Sequence, residues 1–142
     1  CRARGFDAAD PRMASALEQV QREVSRFWAP PSADPATPPP HSTGGAVDLT
    51  LADIAGHPLE MGGEIDAIGD QSIPDHHAQA AERNPGCDAA LWHGRRCLLN
   101  KVMTQAGFAR HPNEWWHFSH GDQLWAWQRQ ARGAIYASVP SS

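Results

Sequence analysis

The sequence predicts an α+β domain. Two stretches carry apolar residues every three or four positions, and three others have strand-like patterning or aromatic runs. The two kinds segregate along the chain instead of alternating regularly.

The first helix opens at Asp10-Pro11, where Asp can cap free N–H groups and Pro is tolerated at the first helical position. Met13, Leu17, Val20, Val24 and Phe27 give it one apolar face, and Pro30-Pro31 ends it near Trp28. Residues 29–40 are Pro-rich and read as an extended loop. A strand over 46–51 follows, with Val47, Leu49 and Leu51 alternating with Ala46, Asp48 and Thr50. Asp48 is thereby expected on the face opposite the apolar one. Gly56-His57-Pro58 marks a turn, 60–75 an irregular loop, and 76–83 a short helix.

The second long helix is predicted over 88–106. Leu91, Leu98, Val102 and Ala106 mark its expected buried side, and Gly107 is placed to end it in a left-handed conformation. Gly94 costs about 1 kcal/mol relative to Ala and is a candidate break. The runs 115–118 and 124–127 are expected to form two paired strands.

A length of 142 residues suits a single domain, 1–142, with a sizeable core. A net charge of -4 and twelve scattered Lys and Arg leave no basic stripe for nucleic acid. No apolar run approaches the roughly 18 residues of a membrane span. Cys1, Cys87 and Cys97 lack CxxC spacing and read as free thiols, which suits a reducing, cytoplasmic setting. A 87–97 disulfide and a periplasmic setting are the alternatives. A chain opening on Cys1, without Met or a targeting pattern, reads as part of a longer protein; a lipid-modified Cys1 is the lesser reading.

Two segments can carry chemistry. In His41-Ser42-Thr43-Gly44-Gly45-Ala46-Val47-Asp48, a glycine turn lets the chain fold back so that imidazole and carboxylate can meet at one ion. Alone, this spacing also suits turn and surface roles. In Glu114-Trp115-Trp116-His117-Phe118, residues three apart point to opposite faces of a regular strand. Glu114 and His117 can serve one site only if Glu114 lies at the strand entrance. Otherwise the segment is an aromatic core strand with a satisfied His. Together, two His and one Asp supply three zinc ligands and leave a fourth position for water. Glu114 is then a spare carboxylate beside the metal, placed for general-base work in amide hydrolysis.

These segments, HSTGGAVDLTL and GFARHPNEWWHF, resemble the signatures of the D-alanyl-D-alanine dipeptidases of the vancomycin-resistance type, within the zinc D,D-peptidase superfamily. The likeness spans roughly residues 5–127. The resemblance implies a small antiparallel sheet carrying a zinc site, flanked by helices, in the hedgehog-like fold. It implies Zn2+ on His41, Asp48 and His117, with Glu114 as catalytic base and a small dipeptide as substrate. MGGEID resembles the family loop whose acid, here Asp66, binds the substrate's ammonium group. His76 and His77 also match a family pair that has no metal role. DLTL and the doubled Trp fit the dipeptidases better than the D,D-carboxypeptidases, which remain the alternative.

One segment departs from the pattern. The family's Asp-x-Tyr-Arg-Pro, whose Arg stabilises the oxyanion, corresponds here to Asp7-Ala8-Ala9-Asp10-Pro11. Asp10 stands where Arg is expected, and loss of such a donor typically costs about 10²–10³ in rate. The N-terminal strand and helices that precede this segment in the family are also expected to be missing. The departure therefore favours a catalytically weak zinc-binding homologue as a further alternative.

Overall fold

The structure, a computed structural model, describes residues 37–138 together with Ser15 and Glu18. Ser15 and Glu18 are helical, within the span predicted for the first helix. The rest of that span lies outside the described residues, as do Asp10 and most of the Pro-rich loop.

Within 37–138 the chain forms an antiparallel sheet and three helices, the α+β class its patterning predicts. The strands are β1 (Ala46–Asp48), β2 (Ala109–Arg110) and β3 (His117–Ser119), in spatial order β1-β3-β2. β3 is thus central, and all three of its residues are buried. Asp48 lies directly opposite His117, and Val47 opposite Phe118. On the other edge Arg110 pairs with Phe118.

The helices are α1 (Ala78–Arg83), α2 (Asp88–Gln105) and α3 (Gln123–Gln128). α2 runs unbroken through Gly94. At its end Gly107 takes φ 95°, and the amides of Gly107 and Phe108 donate to the carbonyls of Thr104 and Met103. These bonds satisfy carbonyls that the helix end would otherwise leave open. The turn at 53–57 closes a hairpin, with Leu59 N–H on Leu51 O and Asp53 Oδ1 accepting from the amides of Ala55 and His57. The core gathers Met61, Leu99, Trp115, Trp116 and Phe118, with Leu49, Leu51, Ile65, Met103 and Phe108 packed against it.

Three details differ from the sequence expectation. β1 is shorter than 46–51, and on this edge strand Ala46 is buried while Val47 is exposed; only Leu49 and Leu51 of the expected apolar face reach the core. The run 124–127 is helical, not a strand. Asp122 caps α3 by accepting from Trp125 N–H at 2.8 Å, Gly121 turns the chain at φ 74°, and β3 pairs instead with β1 and β2.

The third difference is the face that α2 buries. Leu91, Leu98 and Val102 are about half exposed (50%, 52% and 51%), whereas Leu99 and Arg96 are buried at 2% and 1%. Burial follows the sheet and the loop beside it, and a guanidinium with enough acceptors can occupy that side. Leu99→Ala is therefore expected to lower unfolding free energy by about 2–5 kcal/mol. Leu98→Ala should stay within about 0.5 kcal/mol of the parent in urea unfolding. Equal losses at the two positions would contradict the observed facing.

Candidate metal centre

The site begins with strand pairing. Directly opposed residues of an antiparallel pair hold their Cβ atoms about 4.5–5.5 Å apart. Asp48 and His117 form such a pair, and Asp48 Oδ1 lies 3.1 Å from His117 Nδ1. On the other side of the ring, His117 Nε2 meets Ser119 Oγ at 3.2 Å. If Nε2–H donates to that hydroxyl, Nδ1 presents a bare lone pair to the site.

His41 arrives from a 3₁₀ turn, Pro40–Thr43, closed by Gly44 at φ 70°. Thr43 Oγ1 donates to Pro40 O at 2.6 Å and accepts from Gly45 N–H at 3.0 Å, which locks the reversal. A side chain at Gly45 would collide with His120 O, so the chain needs glycine to pass there. The turn brings His41 Nε2 to 3.0 Å from His117 Nδ1 and 3.3 Å from Asp48 Oδ2. Donor atoms of His41, Asp48 and His117 all lie within 4.8 Å of one another; no other such group of three occurs among the described residues.

The donor set suits a zinc ion. Imidazole nitrogen and carboxylate oxygen are both ligand types that zinc takes. Tetrahedral bonds of 2.0–2.1 Å put neighbouring donors roughly 3.3 Å apart. His41 Nε2 and His117 Nδ1 are 3.0 Å apart, and Asp48 reaches them through different oxygens, Oδ2 at 3.3 Å from His41 and Oδ1 at 3.1 Å from His117. His117 Nδ1 faces another ring nitrogen and a carboxylate, an arrangement that is held together by a proton or a cation between them. His117 is buried, while His41 and Asp48 are exposed, so the group opens to solvent on one side.

Glu114 sits before β3, inside a turn and not in the strand. His111 shapes that turn: its amide donates to His117 O at 2.9 Å, and its Nδ1 accepts from Asn113 N–H at 3.2 Å. The alternation of a regular strand therefore does not apply, and Glu114 Oε2 lies 3.6 Å from His117 Nδ1. Burial, opposed by the charge of His117 and assisted by Asp48 and Asp66, pushes the Glu114 carboxyl up to about 6. Burial and the neighbouring His117 push the His111 imidazole down to about 4. Asp48 behaves oppositely: burial resists its ionisation, but the His117 hydrogen bond and the charges of His41 and His117 outweigh it and lower its pKa.

Asp66 is exposed in the loop after the hairpin and acts electrostatically on Glu114. His76 and His77 take no part in the metal group. His77 is buried, with its Nε2 2.9 Å from Gly62 O. Cys87 and Cys97 are free thiols. Three residues near the site are not picked out by the sequence reading. Ser119 and His111 are small or common residues on either side of the aromatic run 115–118, and Arg96 looks like any surface cation of a helix. A His–x–Ser pair alternating on one strand face was the only available clue to Ser119.

The chain matches the M15 peptidase family, described as D-ala-D-ala dipeptidase, over residues 8–135. It is 50% identical over 118 residues to a D-alanyl-D-alanine dipeptidase of Synechocystis, covering 81% of this chain and 47% of the relative. The Escherichia coli protein of that name is 41% identical over 80 residues, covering 55% and 36%. The Enterococcus faecalis one is 34% identical over 84 residues, covering 58% and 37%. The chain thus spans about half the length of the Synechocystis relative and less of the other two. By a match across most of its length, the chain belongs to the D-ala-D-ala dipeptidase family of M15 peptidases.

Proposed function

We propose that this chain is a single zinc-binding domain of a D-alanyl-D-alanine dipeptidase, which hydrolyses D-Ala-D-Ala to two D-Ala in peptidoglycan precursor metabolism. The observation that supports this most is the meeting of His41, Asp48 and His117 within 4.8 Å, with Glu114 Oε2 3.6 Å from His117. His41, Asp48 and His117 would hold the ion, which when bound would supply Lewis acidity to a water molecule and to the scissile carbonyl.

The chain's own groups do the rest. Glu114 takes a proton from the attacking water as the C–O bond forms, then passes it to the leaving nitrogen as the C–N bond breaks. Its partly desolvated carboxylate is a better base than one free in water. Ser119 holds the His117 ring in orientation, and Asp48 balances the charge of the site. Asp66 takes the ammonium group of the substrate, which confines the enzyme to dipeptides because a longer peptide has no ammonium at that distance. We read the reaction as cytoplasmic, with the periplasm as alternative. Among the described residues no helix is long and apolar enough to cross a membrane.

Asp10 favours a second reading, that of a zinc-binding homologue that turns substrate over weakly. One assay separates the readings: zinc-loaded chain is offered D-Ala-D-Ala and, separately, a stem pentapeptide ending in D-Ala-D-Ala. Release of D-Ala from the dipeptide alone is the expected result. Release from the pentapeptide would replace it with a D,D-carboxypeptidase. Zinc at one per chain without release would favour the weak homologue, and Asp10→Arg should then raise the rate by about 10²–10³.

A further inference from the structure

The segment 61–73 carries Asp66 along a path that its backbone does not favour. Gly62, Gly63 and Gly69 take φ of 74°, 157° and 135°, and Asp66 itself sits at 64°. A non-glycine residue seldom adopts that left-handed conformation unless the surroundings fix it. The loop lacks strands, and its only helical piece is the single 3₁₀ turn Asp70–Ser72. Short-range internal bonds hold its turns, among them Ala67 N–H to Glu64 O and Ser72 Oγ–H to Gly69 O, while its two ends are tied together from outside.

Arg96 of α2 is the side chain placed to tie them. Its Nε donates to Met61 O at 2.8 Å, Nη2 to Gln71 O at 2.9 Å and Nη1 to Ile73 O at 3.0 Å. One planar guanidinium therefore ties both ends of the loop together. The same group stacks over Trp115, 5.1 Å from the ring centroid, and Trp115 follows Glu114. Trp115 N–H in turn donates to Ser72 O at 3.0 Å, so the loop and the Glu114 segment are joined directly as well. Arg96 is 1% exposed, and among the described residues no acid forms an ion pair with it within 4.0 Å. Such a cation is costly to bury unless its donors are used, and here they are spent on loop carbonyls.

We propose that Arg96 is a positioning residue for amine recognition: by clamping the two ends of the 61–73 loop against Trp115, it holds Asp66 where a ligand's ammonium group can meet it beside Glu114. This rests on the reading of Asp66 given above. A lysine cannot replace the clamp, because an ammonium is a compact charge and the three carbonyls are matched to a planar fork. The device acts on selectivity more than on the metal, since Arg96 touches none of His41, Asp48 and His117.

The test compares binding of D-Ala-D-Ala with that of N-acetyl-D-Ala-D-Ala by calorimetry. It uses the zinc-loaded full chain carrying Glu114→Gln, so that ligand is not consumed. A preference of at least about tenfold for the free amine is expected in this parent, as a charged hydrogen bond supplies. Adding Arg96→Lys should reduce the preference to less than about threefold while zinc stays at one per chain. A loss of folded fraction scales both ligands alike and leaves their ratio unmoved. A folded Arg96→Lys chain that keeps the full preference overturns the proposal. A parent without any preference overturns the Asp66 reading, and the positioning role falls with it. If Arg96→Lys does not fold, Ser72→Ala decides. It removes the partly buried 2.7 Å bond from Ser72 Oγ to Gly69 O and loosens the same loop without unpairing a charge. A reduced preference supports the clamp, and an unchanged one overturns it.

Discussion

Glu114→Ala should leave zinc in place and lower kcat/KM for D-Ala-D-Ala by about 10²–10⁴, the usual contribution of a positioned general base. The side chains of His41, Asp48 and His117 meet through atoms 3.0–3.3 Å apart, whereas Glu114 Oε2 stands 3.6 Å from His117 Nδ1. Removing it takes away no donor of the group. Glu114→Gln is the sharper variant, because it keeps the volume and one hydrogen-bonding oxygen and removes only the basic carboxylate. Both variants should bind zinc at one per chain by elemental analysis. Normal turnover in either would show that another group carries the proton, and His111 would be the first to examine because its Nδ1 lies 3.9 Å from Glu114 Oε2.

The meeting of His41, Asp48 and His117 was more legible in the sequence than the packing around it. His41, Asp48, Glu114 and His117 could be singled out because their residue types and spacings have few other joint uses. The demand that Glu114 stand at the entrance of the strand also followed from geometry alone. The facing of α2 was not legible in this way. Leu91, Leu98 and Val102 share a helix side, yet Leu99 and Arg96 face inward. Periodicity assigns an apolar stripe to the core without knowing that three loop carbonyls can make a guanidinium the better occupant. The helix at 123–128 was missed for another reason. A short aromatic run fits a strand or a buried helix equally well, and the deciding feature was the cap formed by Asp122 on Trp125 N–H. Both failures concern polar partners that are distant in sequence or easily overlooked.

His117→Ala should remove the metal. It deletes the buried side chain that meets both other candidate ligands, at 3.0 and 3.1 Å, and outer-shell changes alone commonly cost 10–100-fold in metal affinity. A loss of more than about 100-fold is therefore expected from deleting the ligand itself. His117 lies 4% exposed in the central strand, so the substitution also leaves a void and some instability. His41→Ala separates the two effects. Its side chain is 52% exposed on a turn held by Thr43, and its loss should spare the fold while still weakening zinc binding. Thermal unfolding gives an independent measure. Zinc at about 1,000 times its dissociation constant stabilises a folded chain by about 4 kcal/mol. A chelator should accordingly lower the melting temperature of the parent chain. It should have a smaller effect on either His variant, because a site weakened about 100-fold sees the same zinc at only about ten times its dissociation constant and gains about 1.4 kcal/mol. Unchanged zinc stoichiometry and an unchanged chelator response in His117→Ala would remove this residue from the ligand set, and the site would have to be rebuilt around other donors.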